Sequence, residues 1–178
     1  KSIPDSATMI SEIPHSIKVT VKDKGLSMLK YEIGNLPTLT LDFKEYSNGS
    51  GLFRVSVADL RSDVRDIFGA SAIISSVNPD SLRFIYTNIP GKKVPINFDI
   101  DVQANLQYVI NGAVKSSVDS VIVYSDSHTL AELNEVYTYH VEEHELTDTL
   151  IREVAIAPVR NARIVPKSII LTIPVEQL

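Results

Sequence analysis

The run Lys92-Lys93-Val94-Pro95-Ile96-Asn97-Phe98-Asp99-Ile100-Asp101-Val102-Gln103 sets Ile96, Phe98, Ile100 and Val102 against Asn97, Asp99, Asp101 and Gln103. A period of two places alternate side chains on opposite faces of a strand, one buried and one wet, as antiparallel sheets require. The same alternation recurs at Ile17, Val19 and Val21, at Leu39, Leu41 and Phe43, at Val121 and Val123, and at Ile169, Leu171, Ile173 and Val175. Asn48-Gly49 and Asn111-Gly112 add hairpin-type turn signals, since both residue types tolerate positive φ. The sequence therefore predicts a mostly β, β-rich α+β fold of twisted, mainly antiparallel strands with a few short helices.

Helical spacing is sparse. Leu60, Val64, Ile67 and Phe68 predict a helix over 58–68, with Ser56 and Asp59 as a capping box and Gly69 as its stop. A short helix is predicted over Thr129–Asn134 with Ser127 as its cap, and a single helical turn near Leu26–Tyr31.

A strand-start pattern occurs four times: Pro14-His15-Ser16-Ile17-Lys18-Val19, Pro79-Asp80-Ser81-Leu82-Arg83-Phe84, Val118-Asp119-Ser120-Val121-Ile122-Val123 and Pro166-Lys167-Ser168-Ile169-Ile170-Leu171. Proline cannot donate to a ladder and sits at its edge, serine favours a local turn, and alternation follows. Copies one and three precede a polar loop and a helical stretch; copies two and four run into Ile89-Pro90 and Ile173-Pro174. The chain thus reads as two copies of one module, residues 1–92 and 93–178, joined near Pro90-Gly91-Lys92-Lys93-Val94-Pro95.

Composition narrows the chemistry. The 178 residues are 44% hydrophobic and 22% charged, ordinary globular values, with a net charge of −5. An acidic balance argues against a general nucleic-acid binder, which needs Lys and Arg to neutralise phosphates. The absence of cysteine removes disulfides, Cys-ligated zinc, iron–sulfur clusters and thiol nucleophiles together. No apolar stretch approaches the length of a membrane-spanning helix. A start at Lys1, without Met or a signal-like segment, suggests a fragment or a processed form.

Candidate reactive groups each have a simpler explanation. Asp126, Ser127 and His128 are adjacent, so they cannot form a Ser–His–Asp chain among themselves, and helix capping accounts for Ser127. His140 and His144 are four apart in a segment where Tyr137, Tyr139 and Val141 alternate with Thr138, His140 and Glu142. On a strand that spacing is about 13 Å, too far to chelate one metal. His15 stands in a turn with no partner in sequence. Asn48-Gly49-Ser50 matches a glycosylation acceptor, but turn chemistry explains it. The seven glycines are dispersed and form no phosphate-cradling loop. No catalytic residue, metal ligand or cofactor is expected.

Charge is distributed unevenly. Residues 1–92 carry eleven Lys and Arg against ten Asp and Glu, whereas 93–178 carry six against twelve. Glu132, Glu135, Glu142, Glu143, Glu145, Asp148 and Glu153 fall within one 22-residue stretch. A solvated face is one reading; the other is a patch that steers a basic partner, with Glu142, Glu143 and Glu145 as its partner-facing residues.

Several motifs, in order, resemble a YbbR-like module. In the second half they are Lys92-Lys93-Val94-Pro95-Ile96, Gln107-Tyr108-Val109-Ile110-Asn111-Gly112, Val121-Ile122-Val123-Tyr124-Ser125, the Thr129-Leu130 helix followed by Asn134-Glu135-Val136-Tyr137-Thr138, and Val165 to Glu176. The first half resembles the same module through Leu36-Pro37-Thr38-Leu39-Thr40-Leu41-Asp42-Phe43 and Asn78-Pro79-Asp80-Ser81-Leu82. The module's glycine after the first strand is Gly25 in the first half and is replaced by Ser125–Ser127 in the second; the opening strand expected before Ile10 is short or missing.

The resemblance implies tandem β-rich modules of a bacterial protein, held outside the cytoplasm by an N-terminal membrane helix upstream of Lys1. It implies a non-catalytic interaction or regulatory role toward a membrane-bound protein partner such as a diadenylate cyclase, and no direct membrane insertion by these residues. The modules of the family are similar to part of a ribosomal protein that binds 5S RNA. That makes RNA binding the alternative, against which the acidic balance weighs. A hydrolase with a site at the module joint is the third class.

Overall fold

A computed structural model describes residues 3–22 and 37–178. The helical turn predicted near Leu26–Tyr31, and Gly25, lie outside the described residues. The chain divides into two compact units, Lys1–Asn88 and Ile89–Leu178.

In the first unit, β1 (Thr8–Met9), β5 (Leu82–Thr87) and β3 (Leu52–Val55) form an antiparallel sheet. β2 (Lys18–Lys22) pairs antiparallel with β4 (Ile73–Asn78). Two helices are described here, α1 (Phe43–Tyr46) and α2 (Val57–Phe68). The latter matches its prediction closely. Ser56 Oγ accepts from the Asp59 N–H at 3.2 Å and donates to the Asp59 carboxylate at 2.6 Å. Gly69 ends the helix at φ +86°, a conformation that a β-carbon penalises. Leu60 and Val64 are buried, whereas Ile67 is exposed.

The core of this unit gathers Met9, Phe53, Val55, Leu60, Val64, Val77, Leu82, Phe84 and Tyr86. Phe43, Phe53 and Phe84 stack in sequence at 5.7 and 5.8 Å between ring centroids, with Tyr86 edge-on to Phe43 at 5.0 Å. Such offset and edge contacts add to the burial of the rings themselves. The strand expected over Leu39–Phe43 does not form. Leu39 and Leu41 pack against the core without a ladder, and Phe43 opens α1 because the Asp42 carboxylate accepts from the Lys44 N–H at 3.0 Å.

The second unit carries a four-stranded sheet ordered β11 (Val136–Tyr137), β6 (Lys92–Asn97), β10 (Ser120–Tyr124), β14 (Arg163–Val165). A second sheet is ordered β13 (Leu150–Ala155), β15 (Ser168–Ile173), β9 (Lys115–Ser116). Two pairs complete it: β12 (Val141–Leu146) with β7 (Ile100–Ala104), and β16 (Val175–Gln177) with β8 (Tyr108–Ile110). All are antiparallel except β11 with β6 and β12 with β7. Its core runs through Val94, Val121, Val123, Leu130, Val136, Val141, Val154, Ile156, Ile164, Ile169 and Leu171.

Four expectations change here. The boundary placed between residues 92 and 93 falls inside β6; Lys92 opens that strand opposite Val123, and the units divide after Asn88. The long alternating run from Ile96 to Gln103 breaks at Phe98–Asp99, because β6 pairs with β10 and β11 while β7 pairs with β12. Asn111-Gly112 is not a hairpin: it joins β8 to β9, and these pair with β16 and β15 rather than with each other. The helix α3 spans Ser127–Glu132 rather than 129–134, and its cap is Asp126, not Ser127. The Asp126 carboxylate accepts from the Thr129 N–H at 3.0 Å and from Thr129 Oγ1 at 2.7 Å, two bonds that a Ser127 hydroxyl inside the first turn does not make.

The strand-start motifs share a register. Lys18 and Ile122, each two residues after the motif serine, lie opposite Asn78 and Val165, each the residue before the next motif proline. Leu82 and Ile169, each one residue after a motif serine, lie opposite Val55 and Val154, both buried.

Candidate partner-docking site

The candidate acidic residues lie on β12, whose parallel partner is β7. Parallel pairing puts Glu142 directly opposite Asp101, and two residues earlier His140 lies alongside Asp99. One side of this two-stranded ribbon therefore presents Asp99, Asp101, His140 and Glu142 together. His140 Nδ1 lies 2.9 Å from Asp99 Oδ1, and His144 Nε2 lies 3.0 Å from Glu142 Oε1. The His140 imidazole titrates above its ordinary range, first because of the Asp99 hydrogen bond and further because Asp99, Glu142 and Asp101 surround it with negative charge. Two carboxylates facing each other repel, so a cationic imidazole nearby lowers the cost of that arrangement.

The three glutamates do not form one surface. Glu142 points outward and holds His144. Glu143 turns to the other side, opposite Val102, where Arg152 Nη1 donates to its Oε1 at 2.6 Å. Glu145 sits at φ +60° in the bulge between Glu143 and Leu146, and is exposed. The structure replaces Glu143 on the acidic side by Asp99 and Asp101, which the sequence stretch 132–153 did not include. Their signal was already visible as the polar phase of the alternation from Asn97 to Gln103.

The histidines do not share a ligand: each binds its own carboxylate, and no group of metal-ligating side chains is found among the described residues. The phase expected for Tyr137 and Tyr139 is reversed. Both are exposed while Thr138 is buried, because Thr138 Oγ1 accepts from the Asp99 N–H at 2.9 Å and ties β11 to the start of β7. Asp126, Ser127 and His128 face separate partners: the carboxylate caps α3, and His128 lies 3.6 Å from Glu132 one turn on. Ser125, fully buried, donates to the Asn161 carbonyl at 2.7 Å.

No helix among the described residues is long and apolar enough to cross a membrane. No protein-family model and no curated protein matches the chain. Among solved structures, a YbbR-like protein from Streptococcus pneumoniae TIGR4 matches at a TM-score of 0.55 and 15% identity, over 100% of this chain and 90% of that one. At that identity the backbone carries the likeness, and the chain has the fold of a YbbR-like protein.

Proposed function

We propose that this chain is a non-catalytic interaction module, two YbbR-like units in tandem, that acts outside the bacterial cytoplasm by docking on a membrane-bound protein. The observation that carries this reading is the fold likeness to a YbbR-like protein along the whole chain. The shared register of the strand-start motifs supports the tandem arrangement. A diadenylate cyclase is the partner that the resemblance implies, and the acidic side of the β7–β12 ribbon is the docking face. Asp99, Asp101 and Glu142 there, with Glu145 exposed in the adjoining bulge, offer negative charge to a basic surface, which chiefly accelerates encounter.

The test is reconstitution. Purified diadenylate cyclase in vesicles is mixed with the chain, and both association and cyclic diadenylate synthesis are followed. Salt-sensitive, saturable association with an altered synthesis rate supports the reading. Absence of association at low salt rejects it.

A further inference from the structure

The first unit contains two arginines in a costly arrangement. Arg54 on β3 lies directly opposite Arg83 on β5. Like charges in that position destabilise a strand pair. Neither guanidinium has a hydrogen bond or ion pair among the described residues. The fold does not require the pair. In the second unit the equivalent ladder position, counted from the motif serine, holds Glu153 opposite Ile170.

Both arginines line an open groove of about 620 Å³, with Leu52, Val57 and Ala58 beside them. The acidic groups nearest in sequence are otherwise engaged: Asp59 accepts from Ser56 Oγ at 2.6 Å, and Asp80 accepts from Ser81 Oγ at 3.1 Å. Those two hydroxyls are therefore already donating. What remains to meet a ligand is two guanidinium forks beside apolar walls.

We propose that the Arg54–Arg83 groove binds a phosphate monoester carried on an apolar group. Guanidinium forks match oxyanions bidentately, and a monoester brings a charge of about −1.5 to −2 at neutral pH. That charge neutralises both arginines, whereas a single carboxylate neutralises one. Leu52 and Val57 beside the arginines give the apolar carrier a surface to lie on. The carrier can be a free small molecule or a modified side chain; the phosphate chemistry is common to both.

The experiment titrates the full chain with phenyl phosphate, inorganic phosphate and benzoate at constant ionic strength, following amide resonances by NMR. Phenyl phosphate should saturate the Val57, Ala58 and Leu82 shifts with a Kd near or below about 1 mM, tighter than the other two. Arg54→Gln and Arg83→Gln should each weaken it about tenfold, as loss of a charge-assisted bond implies. Their melting temperatures should not fall, because each relieves the repulsion. Arg54→Lys, which keeps the charge but loses the fork, should also bind more weakly. Shifts that do not saturate, equal binding of benzoate or inorganic phosphate, or unchanged binding in both Gln variants would each overturn the proposal. If the site holds, a phosphotyrosine peptide and a free aryl phosphate compared at equal concentration separate the two sources.

Discussion

The His140 imidazole meets the Asp99 carboxylate at 2.9 Å where β12 begins beside β7. This contact, with Asp101 and Glu142 on the same side, gives the acidic ribbon a titrating element. The folded pKa lies above the ordinary 6.5, so the fold favours the protonated form. Its contribution is complete below 6.5 and is lost as pH rises through the folded value. Denaturant melts between about pH 6 and pH 8 should therefore show stability declining with pH, and His140→Gln should flatten that slope. A slope of the opposite sign, or one unchanged in the variant, would place the charge balance elsewhere.

Docking by the acidic side and its adjoining bulge is best tested at Glu142 and Glu145. Glu143 is unsuitable because it lies on the other side of the ribbon, opposite Val102 and paired with Arg152. The double change to Gln should shift stability by no more than about 0.5 kcal/mol, as exposed substitutions usually do. It should slow association with the reconstituted cyclase and flatten its salt dependence. Wild-type association kinetics at low salt would remove the ribbon from the interface.

Some of this was legible in residues close in sequence, and some was not. Ser56, Asp59 and Gly69 define α2 because a helix end is a local matter, settled within one turn. Val121 and Val123 alternate with wetter neighbours because one face of their strand is buried. The alternation from Ile96 to Gln103 could not reveal its break, which depends on β6 and β7 pairing with different strands far along the chain. Leu39 and Leu41 alternate like a strand yet pack as an irregular segment, since apolar spacing reports burial and not hydrogen bonding. The pairing of Arg54 with Arg83 was equally hidden. It needs the β3–β5 register, which no local pattern supplies.

The second unit should fold by itself. Its core is drawn entirely from residues within 89–178. Those residues expressed alone should give a dispersed amide spectrum and a cooperative melt. Leu171, 2% exposed in that core, should cost about 2–5 kcal/mol when changed to Ala. A collapsed spectrum from 89–178 would show that the unit needs its neighbour.

Lys92 sets the limit on where that unit can begin. Its Nζ donates to the carbonyls of Leu130 and Leu133, both at 2.7 Å, at the end of α3. The last carbonyls of a helix have no partner within it, and a cation there also faces the negative end of the helix dipole. At six residues α3 is too short to persist without tertiary support, so this tie from β6 helps hold it in place. Lys92→Met keeps much of the aliphatic stem and removes both bonds. It should destabilise residues 89–178 by about 1–3 kcal/mol, the scale for charged donors lost from partly buried acceptors. Amide exchange should accelerate first at Leu130 and Leu133, whose own N–H groups bond back to Asp126 and Thr129 within the helix. Residues 93–178, lacking Lys92, should show the same loosened helix. If exchange across α3 is unchanged in the Met variant, the lysine contacts are incidental and Leu130 packing alone keeps the helix in place.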